Sequence, residues 1–425
     1  MMRFIVNNNE LFVNSQSEVF PVVLQSRSMN EFATLRLRKN EDKRLRTGHN
    51  WIFSNEVDTA ATPLKGLQAG APTLIENHQG KAIGTGYVNP NALICARLVS
   101  RNPDHPFGPG LFVHRFKVAL SLRERLFPEP FYRLVHGDSD GLPGLVVDRY
   151  GDIMVVQIAT AGMERMKETL VAALEKVLKP KVIVFRNDGA FRRLEHLDEY
   201  TEATGDSGGS VELTENGVRF RADVMQGQKT GWFYDQRDNR AKAARYAQGA
   251  RVLDLFSFSG GFGIQAAKAG ATDVLCVDSS GPALEQIQAH AEINGVADRV
   301  QTRQGDAFDV LKALREEEER FDLVMVDPPA FIRRKKDIAA GETAYRRINQ
   351  AAMQVLGRDG ILVSSSCSYH LPRFGLQRIL NQSARHLDRN LQILEHGHQG
   401  RDHPIHPAIA ETEYLKTLIG RVVYG

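Results

Sequence analysis

At 425 residues, with 42% hydrophobic and 25% charged residues, the chain has the composition of a soluble globular protein of two or three domains. No apolar run is long enough to span a bilayer, residues 1–28 lack a secretory-signal pattern, and a net charge of +3 alone points to no polyanionic partner. The three cysteines exclude a disulfide framework and carry no metal-ligand spacing, so no metal and a cytoplasmic location are expected.

Residues 1–30 precede the first strong pattern and are expected to form a disordered extension. Across residues 31–106, short β runs at 34–37, 51–53, 73–75, 82–88 and 93–99 predict a small β-barrel punctuated by Gly84, Gly86, Asn89-Pro90 and Asn91. Arg36, Arg38, Lys39, Lys43, Arg44 and Arg46 crowd its start, opposed locally only by Glu41 and Asp42. One such run reads equally as solvated surface. A second cluster further along, Arg333-Arg334-Lys335-Lys336, turns the expectation toward RNA phosphate. His49 and Trp51 are weighed as RNA contacts, with the barrel core as the alternative home for Trp51.

Residues 111–200 predict a small α+β domain: a helix at 111–126, strands at 133–135, 144–148 and 153–158, a helix at 163–178 and a strand at 181–186. A polar, Gly-rich stretch at 201–210 marks the next boundary. From 211 to 425 strands at 252–256, 273–277, 300–302, 321–326 and 361–364 alternate with helices. The helix at 263–269 is closed by Gly270, and the one at 282–294 is opened by Ser280 and closed by Gly295. That rhythm predicts a parallel, doubly wound, Rossmann-like α/β sheet.

In such a sheet, chemistry collects beyond the carboxyl ends of the strands. Asp254-Leu255-Phe256-Ser257-Phe258-Ser259-Gly260-Gly261-Phe262-Gly263 follows the first strand there, and Asp278 ends the second, 18 residues after Gly260. The glycines do not follow Gly-x-Gly-x-x-Gly, which argues against a dinucleotide pyrophosphate. Asp306 and Asp327 follow two further strands. Together these residues predict a site for S-adenosylmethionine, with Asp254, Phe256, Ser257, Gly260, Gly261, Asp278, Asp306 and Asp327 around it.

Val326-Asp327-Pro328-Pro329-Ala330-Phe331 closes the fourth strand. The prolines remove backbone donors and leave carbonyls to meet a base amino group, and Phe331 can stack on a flipped base. Cys367, in Ser364-Ser365-Ser366-Cys367-Ser368, sits among hydroxyls at a strand exit, whereas Cys95 and Cys276 lie in apolar runs as core thiols. Carbon 5 of a pyrimidine becomes nucleophilic once a thiolate adds to carbon 6, so Cys367 is expected as nucleophile and Asp327 as the group that protonates or hydrogen-bonds nitrogen 3. Methylation of an exocyclic nitrogen, with Cys367 idle, and a non-enzymatic RNA-binding or ribosome-assembly role stand as alternatives. The His403-Pro404-Ile405-His406-Pro407 stretch reads as a loop that lines the base pocket rather than a metal motif.

These motifs resemble the RlmI family of bacterial large-subunit ribosomal RNA 5-methylcytosine methyltransferases. The resemblance runs from about residue 35 to the C-terminus. It is carried also by Leu45-Arg46-Thr47-Gly48-His49-Asn50-Trp51-Ile52-Phe53-Ser54, by Gly137-Asp138-Ser139-Asp140-Gly141-Leu142-Pro143-Gly144, and by Gly227-Gln228-Lys229-Thr230-Gly231-Trp232-Phe233-Tyr234-Asp235-Gln236-Arg237-Asp238. It implies a PUA domain at the barrel, 23S ribosomal RNA as partner, and Gln228, Thr230, Asp235 and Gln236 among the residues enclosing S-adenosylmethionine. It also implies that the single thiol is the nucleophile. Two-cysteine cytosine methyltransferases carry a second cysteine where Ala330 stands, so this chain is not of that type. Which cytosine is modified, and whether the chain acts as a monomer or a homodimer, the motifs leave open.

Overall fold

The computed structural model describes residues 32–102 and 105–424; the extension expected at residues 1–30 lies outside the described residues. The first sheet has five strands, β1 (Ala33–Arg36), β2 (Trp51–Phe53), β3 (Ala71–Glu76), β4 (Ala82–Val88) and β5 (Ile94–Ser100), in the order β1-β3-β4-β5-β2. Just past β1, Leu37 bridges Val57, which follows β2, so the two edges meet and the sheet curls into a barrel. Leu35, Leu37, Ile52, Val57, Ile75 and Cys95 fill it. Gly84 and Gly86 prove to be strand residues rather than punctuation. A Cβ on Gly86 would stand 1.9 Å from the Arg97 carbonyl oxygen, so glycine is what lets β5 coil across β4.

The central unit is a second sheet, β6 (Phe131–His136), β7 (Leu145–Tyr150), β8 (Ile153–Ile158), β9 (Val182–Asn187) and β10 (Tyr200–Ala203), ordered β10-β9-β8-β7-β6. The helices Pro109–Leu126 and Lys167–Leu178 contribute Phe112, Phe116, Leu170 and Leu174 to its core. The helix expected at 163–178 is broken at Met166, which leaves the short helix Ala161–Arg165 turned onto the barrel. There the Tyr87 hydroxyl donates to the Pro143 carbonyl (2.7 Å) and lies 3.1 Å from the hydroxyl of Thr160, which precedes that short helix. β10 occupies residues read as the start of a linker. An edge strand with one bonded side and an exposed face needs no apolar pattern, which is why polar sequence concealed it.

A hairpin follows, β11 (Ser210–Glu215) and β12 (Val218–Asp223), joined by Asn216-Gly217 with φ of +54° and +76°. That dipeptide is a two-residue hairpin signal the strand reading passed over. The last sheet has seven strands: β13 (Arg251–Leu255), β14 (Asp273–Asp278), β15 (Val300–Gln304), β16 (Phe321–Val326), β17 (Leu356–Ser366), β18 (Arg389–His398) and β19 (Lys416–Tyr424). Their order is β15-β14-β13-β16-β17-β19-β18. The first five run parallel, as expected, whereas β19 is antiparallel to both neighbours.

Residue alternation assigns the two faces of this sheet. Val252, Leu323 and Met325 join the helices Arg237–Ala244, Gly261–Lys268 and Gly281–Ile293 in one core. Leu253, Val324 and Val326 join Ala307–Glu316, Ile338–Gln354 and Arg373–His386 in the other. Strand order reverses between β13 and β16, which opens a crevice at their carboxyl ends. Buried polar links fix the central unit on both sides of it. Glu195 takes Asn89 (2.7 Å) and Arg97 (2.6 Å) from the barrel, and Asp148 takes the Thr230 hydroxyl (2.5 Å) from the approach to the last sheet.

Candidate active site

The loop after β13 holds two non-glycine residues in left-handed backbone, Phe256 (φ +60°) and Phe258 (φ +49°). Such conformations persist only where surroundings impose them. Here Ser257 N donates to the Val277 carbonyl (3.0 Å), and Phe258 N donates to the Asp278 carboxylate (2.9 Å). The other Asp278 oxygen accepts from Ser280 N at 2.9 Å. Asp254, at the end of β13, accepts from Gly263 N at 2.8 Å. Gly263 is packed so closely that a Cβ would lie 2.5 Å from the Cys276 sulfur. Gly261 likewise faces Arg240 rather than open space. Glycine at 261 and 263 therefore serves helix–sheet packing, and Gly260, at φ +82°, turns the chain into the helix.

The buried polar atoms in this region that lack a hydrogen-bond partner include the Ser257 hydroxyl oxygen and Oδ1 of Asp235. A nucleoside cofactor rich in hydroxyl, amino and carboxylate groups fits such open positions. Asp306, exposed, caps the helix Ala307–Glu316 through Phe308 N (2.8 Å). Gln236 reaches across to Asp327, donating at 2.8 Å, and is itself held by Asn239 at 2.6 Å. The other two residues implied by the resemblance stand apart. Gln228 is exposed, and the Thr230 hydroxyl is committed to Asp148 of the central sheet.

Asp327 and Cys367 do share one rim. β16 and β17 pair in parallel with Val326 opposite Ser364. The serines around the thiol lace the two exits together. The Tyr345 hydroxyl lies 2.9 Å from both the Ser366 and Ser368 hydroxyls, and the Ser368 hydroxyl accepts from Ile332 N (3.1 Å). Ser365 pairs with Thr417 of β19 (2.8 Å). These serines are cross-links that anchor the chain on both sides of Cys367.

The carboxylates separate electrostatically. Burial pushes Asp254 up to about 7, against the bond from Gly263 and with Asp327 adding to the rise. Burial, then the charge of Asp235, pushes Asp327 up to about 6. Asp235 is held below the usual carboxylate range, because Lys229, His403 and a 2.7 Å bond from the Tyr414 hydroxyl outweigh its burial. Neighbouring acids driven apart in this way suit one proton-holding and one anionic role. Cys367 differs from the expectation of a ready thiolate: burial, then the charge of Asp327, pushes it up to about 11. At rest it is a thiol.

Phe331 lies against Tyr345, with ring centroids 4.9 Å apart, so its ring is braced by the protein on one side. Arg333, Arg334, Lys335 and Lys336 are exposed beside the rim, with Arg334 paired to Asp337. In the barrel cluster, weighed between solvated surface and phosphate contact, most of the arginines have protein partners. Arg36 pairs with Glu76 (3.0 Å), Arg44 with Glu56 (2.6 Å) and Arg46 with Asp42, and Arg38 donates to the Val57 carbonyl. The neutralising Glu56 and Glu76 come from later in the chain, which a count of local charge could not show. Lys39 and Lys43 are exposed. Trp51 is half-buried and donates to Asp138 of the central unit at 3.0 Å, so it seals a domain contact.

Two residues quoted only within longer motifs also lie near the rim. Lys229 acts electrostatically on Asp235, Asp327 and Cys367. His403, in the loop read as lining the base pocket, bonds Asp402 (2.9 Å) and packs against His136, with ring centroids 4.9 Å apart. Among the described residues no cluster suits a metal ion, and no helix is long and apolar enough to cross a membrane. A cavity of about 1270 Å³ opens away from the rim, between barrel and central unit, lined by Arg101, Arg115, Arg165 and His114.

A family model for S-adenosylmethionine-dependent methyltransferases matches residues 184–421, and a PUA-like domain model matches residues 35–101. Proteins named ribosomal RNA large subunit methyltransferase I align along nearly the whole chain. The one from Erwinia tasmaniensis is 35% identical over 91% of this chain and 98% of its own length. The one from Tolumonas auensis is 36% identical over 92% of this chain and 99% of its own. The chain belongs to the ribosomal RNA large subunit methyltransferase I family. It is an S-adenosylmethionine-dependent methyltransferase, with a PUA-like barrel ahead of a Rossmann-like catalytic sheet. A solved protein assigned as a methyltransferase and complexed with SAH shares the fold at TM-score 0.77 and 20% identity, covering 92% of this chain and 100% of that one. A Streptococcus mutans protein assigned as a SAM-dependent methyltransferase superposes at TM-score 0.76 with 19% identity and the same coverage.

Proposed function

We propose that this chain forms 5-methylcytosine in 23S ribosomal RNA through a covalent adduct between Cys367 and carbon 6 of the base. The observation that carries this reading is the lacing of Ser366 and Ser368 to Tyr345 and Ile332, which aims a single thiol into the rim that holds Asp327. Nitrogen methylation would leave that thiol and its cross-links without a use. S-adenosylmethionine supplies the methyl electrophile. Asp254, Phe256, Ser257, Gly260, Asp278 and Asp306 would hold it, with Gln236 and Asp235 closing from the side. Cys367 adds to carbon 6, and Asp327 holds a proton or hydrogen bond at nitrogen 3, so that the electron pair released toward the ring reaches carbon 5. Phe331 backs the flipped base, and the exposed cations at 333–336 steer the RNA backbone.

The cavity beside the barrel supports an RNA path. Burial lowers the pKa of Arg115, no carboxylate counters it, and its Nε is buried without a partner. The test is nucleoside mass spectrometry of unmodified 23S RNA incubated with the protein and S-adenosylmethionine. New 5-methylcytidine is expected, whereas methyl on adenosine or guanosine would replace this reading with nitrogen methylation.

A further inference from the structure

We propose that Lys416 is the group that activates Cys367, receiving the thiol proton as sulfur adds to the base; this deepens the cysteine-adduct reading and rests on it. Lys416 opens β19 directly opposite Ser366, the residue before the nucleophile. It is 5% exposed, and its Nζ donates to the carbonyls of Ser368 (2.6 Å) and Tyr414 (2.8 Å). An ammonium has three donors, so those two bonds leave one position of Nζ uncommitted. The Ser368 carbonyl lies one peptide beyond Cys367, so the bond it accepts anchors the Lys416 ammonium to the turn that carries the thiol.

A buried lysine with no carboxylate bonded to it is costly unless it exchanges its proton. Burial lowers Lys416 to about 8, with Cys367 and Glu413 acting upward and Arg373 downward. The groups that face Cys367 are Asp327 after β16, Lys229 and Asp235 on the loop before the helix Arg237–Ala244, Tyr345 on the helix Ile338–Gln354, and Lys416. Asp327 and Asp235 both oppose a thiolate. Lys229 is exposed, its ammonium 4.2 Å from the centre of the Phe233 ring. Lys416 alone of these is a buried amine anchored to the thiol's own turn.

The proton count closes. The neutral Lys416 amine takes the proton from sulfur as the bond from sulfur to carbon 6 forms. On elimination that bond breaks, sulfur leaves as thiolate, and the Lys416 ammonium returns the proton. The hydrogen lost from carbon 5 leaves separately to water and is the net proton of the methylation. Lys416 thus ends each cycle as it began.

Alkylation of Cys367 by iodoacetamide tests this on the full chain without RNA or cofactor, read by peptide mass spectrometry from about pH 6 to about pH 10. A lysine–thiol pair loses its first proton jointly, so the wild-type rate should bend near pH 8. Lys416→Met should lose the bend and react roughly tenfold more slowly at pH 8. Lys416→Arg keeps donors for both carbonyls but cannot take up a proton, so it too should lose the bend while melting like the wild type. Lys229→Met should keep it. A wild-type profile without the bend, or one unchanged in Lys416→Met, would overturn the proposal. A bend without 5-methylcytidine formation would keep Lys416 and overturn the cytosine reading, whereas 5-methylcytidine without a bend would do the reverse.

Discussion

In the barrel, Arg36, Arg44 and Arg46 each meet a carboxylate, while at the rim of the methyltransferase sheet Asp254, Asp327 and Cys367 are ionisable groups with no ion-pair partner among the described residues. The barrel shows the larger cluster in sequence, yet three of its arginines are neutralised where they stand. At the rim, burial is left uncompensated and the pKa values move. Pairing marks a structural use of charge, and unrelieved burial marks a chemical one. Exposed ion pairs contribute only about 0–1 kcal/mol each, so the barrel loses little by forming them and gains a fixed shape.

The sharpest way to break this comparison is at the thiol. Cys367→Ala should lower methyl transfer by at least about 10³-fold, and Asp327→Asn by about 10² to 10⁴-fold, in single-turnover assays. Calorimetry should find cofactor binding retained in Cys367→Ala. Equal loss from a barrel variant would erase the distinction between the regions.

Tyr345→Phe removes one hydroxyl that touches two serines. Because a displacement of about 1 Å at a reacting atom costs about 10²-fold, activity should fall by roughly 10 to 100-fold. The stability loss in urea melts should be about 1–3 kcal/mol. Full activity would mean that the serine lacing does not aim Cys367.

Asp254 gives a pH signature. Its folded pKa, about 7, is raised above the usual carboxylate value, so between about pH 4 and pH 7 the folded state binds more protons than the unfolded state. Its contribution to stability is therefore greatest in acid and falls as pH rises through that window. Asp254→Asn keeps an acceptor for Gly263 N and removes the titration. Ligand-free variant minus wild-type stability should then grow by up to about 1.4 kcal/mol per pH unit between about pH 5 and pH 7. A pH-independent difference would contradict the buried, uncompensated carboxyl.

The smallest effects belong to the barrel. Lys39→Ala with Lys43→Ala should weaken RNA binding several-fold and reduce the salt slope by about 2, one for each phosphate contact. Arg46→Ala should leave that slope unchanged and shift stability by no more than about 1 kcal/mol, since Asp42 already occupies it.

Legibility in the sequence followed the same division. The parallel strands were readable because a strand buried on both faces is nearly continuous in apolar residues, as in Phe321–Val326. Asp327 and Cys367 were readable because each closes such a run. β10 was not, for its exposed side chains lack a period; β18 was passed over although its burial alternates along the strand, and β19 revealed no direction that would have shown it antiparallel. Lys416 lies 49 residues after Cys367 and meets it only through the pairing of Ser366 with the start of β19. Long-range register of that kind leaves no local trace, and it also supplied Glu56 and Glu76 to the barrel arginines.

The central claim is that Cys367 bonds to carbon 6 of cytosine, and a mechanism-trapping substrate tests it most directly. In RNA bearing 5-fluorocytidine, fluorine replaces the hydrogen that must leave carbon 5, so a methylated adduct cannot eliminate the thiol. Incubation with the protein and S-adenosylmethionine should yield an RNA–protein complex stable to denaturing electrophoresis, with the nucleotide on the peptide containing Cys367 and no complex from Cys367→Ser. The absence of any complex, with methyl groups found on an exocyclic nitrogen of unfluorinated RNA, would contradict the account and leave Cys367 a packing residue.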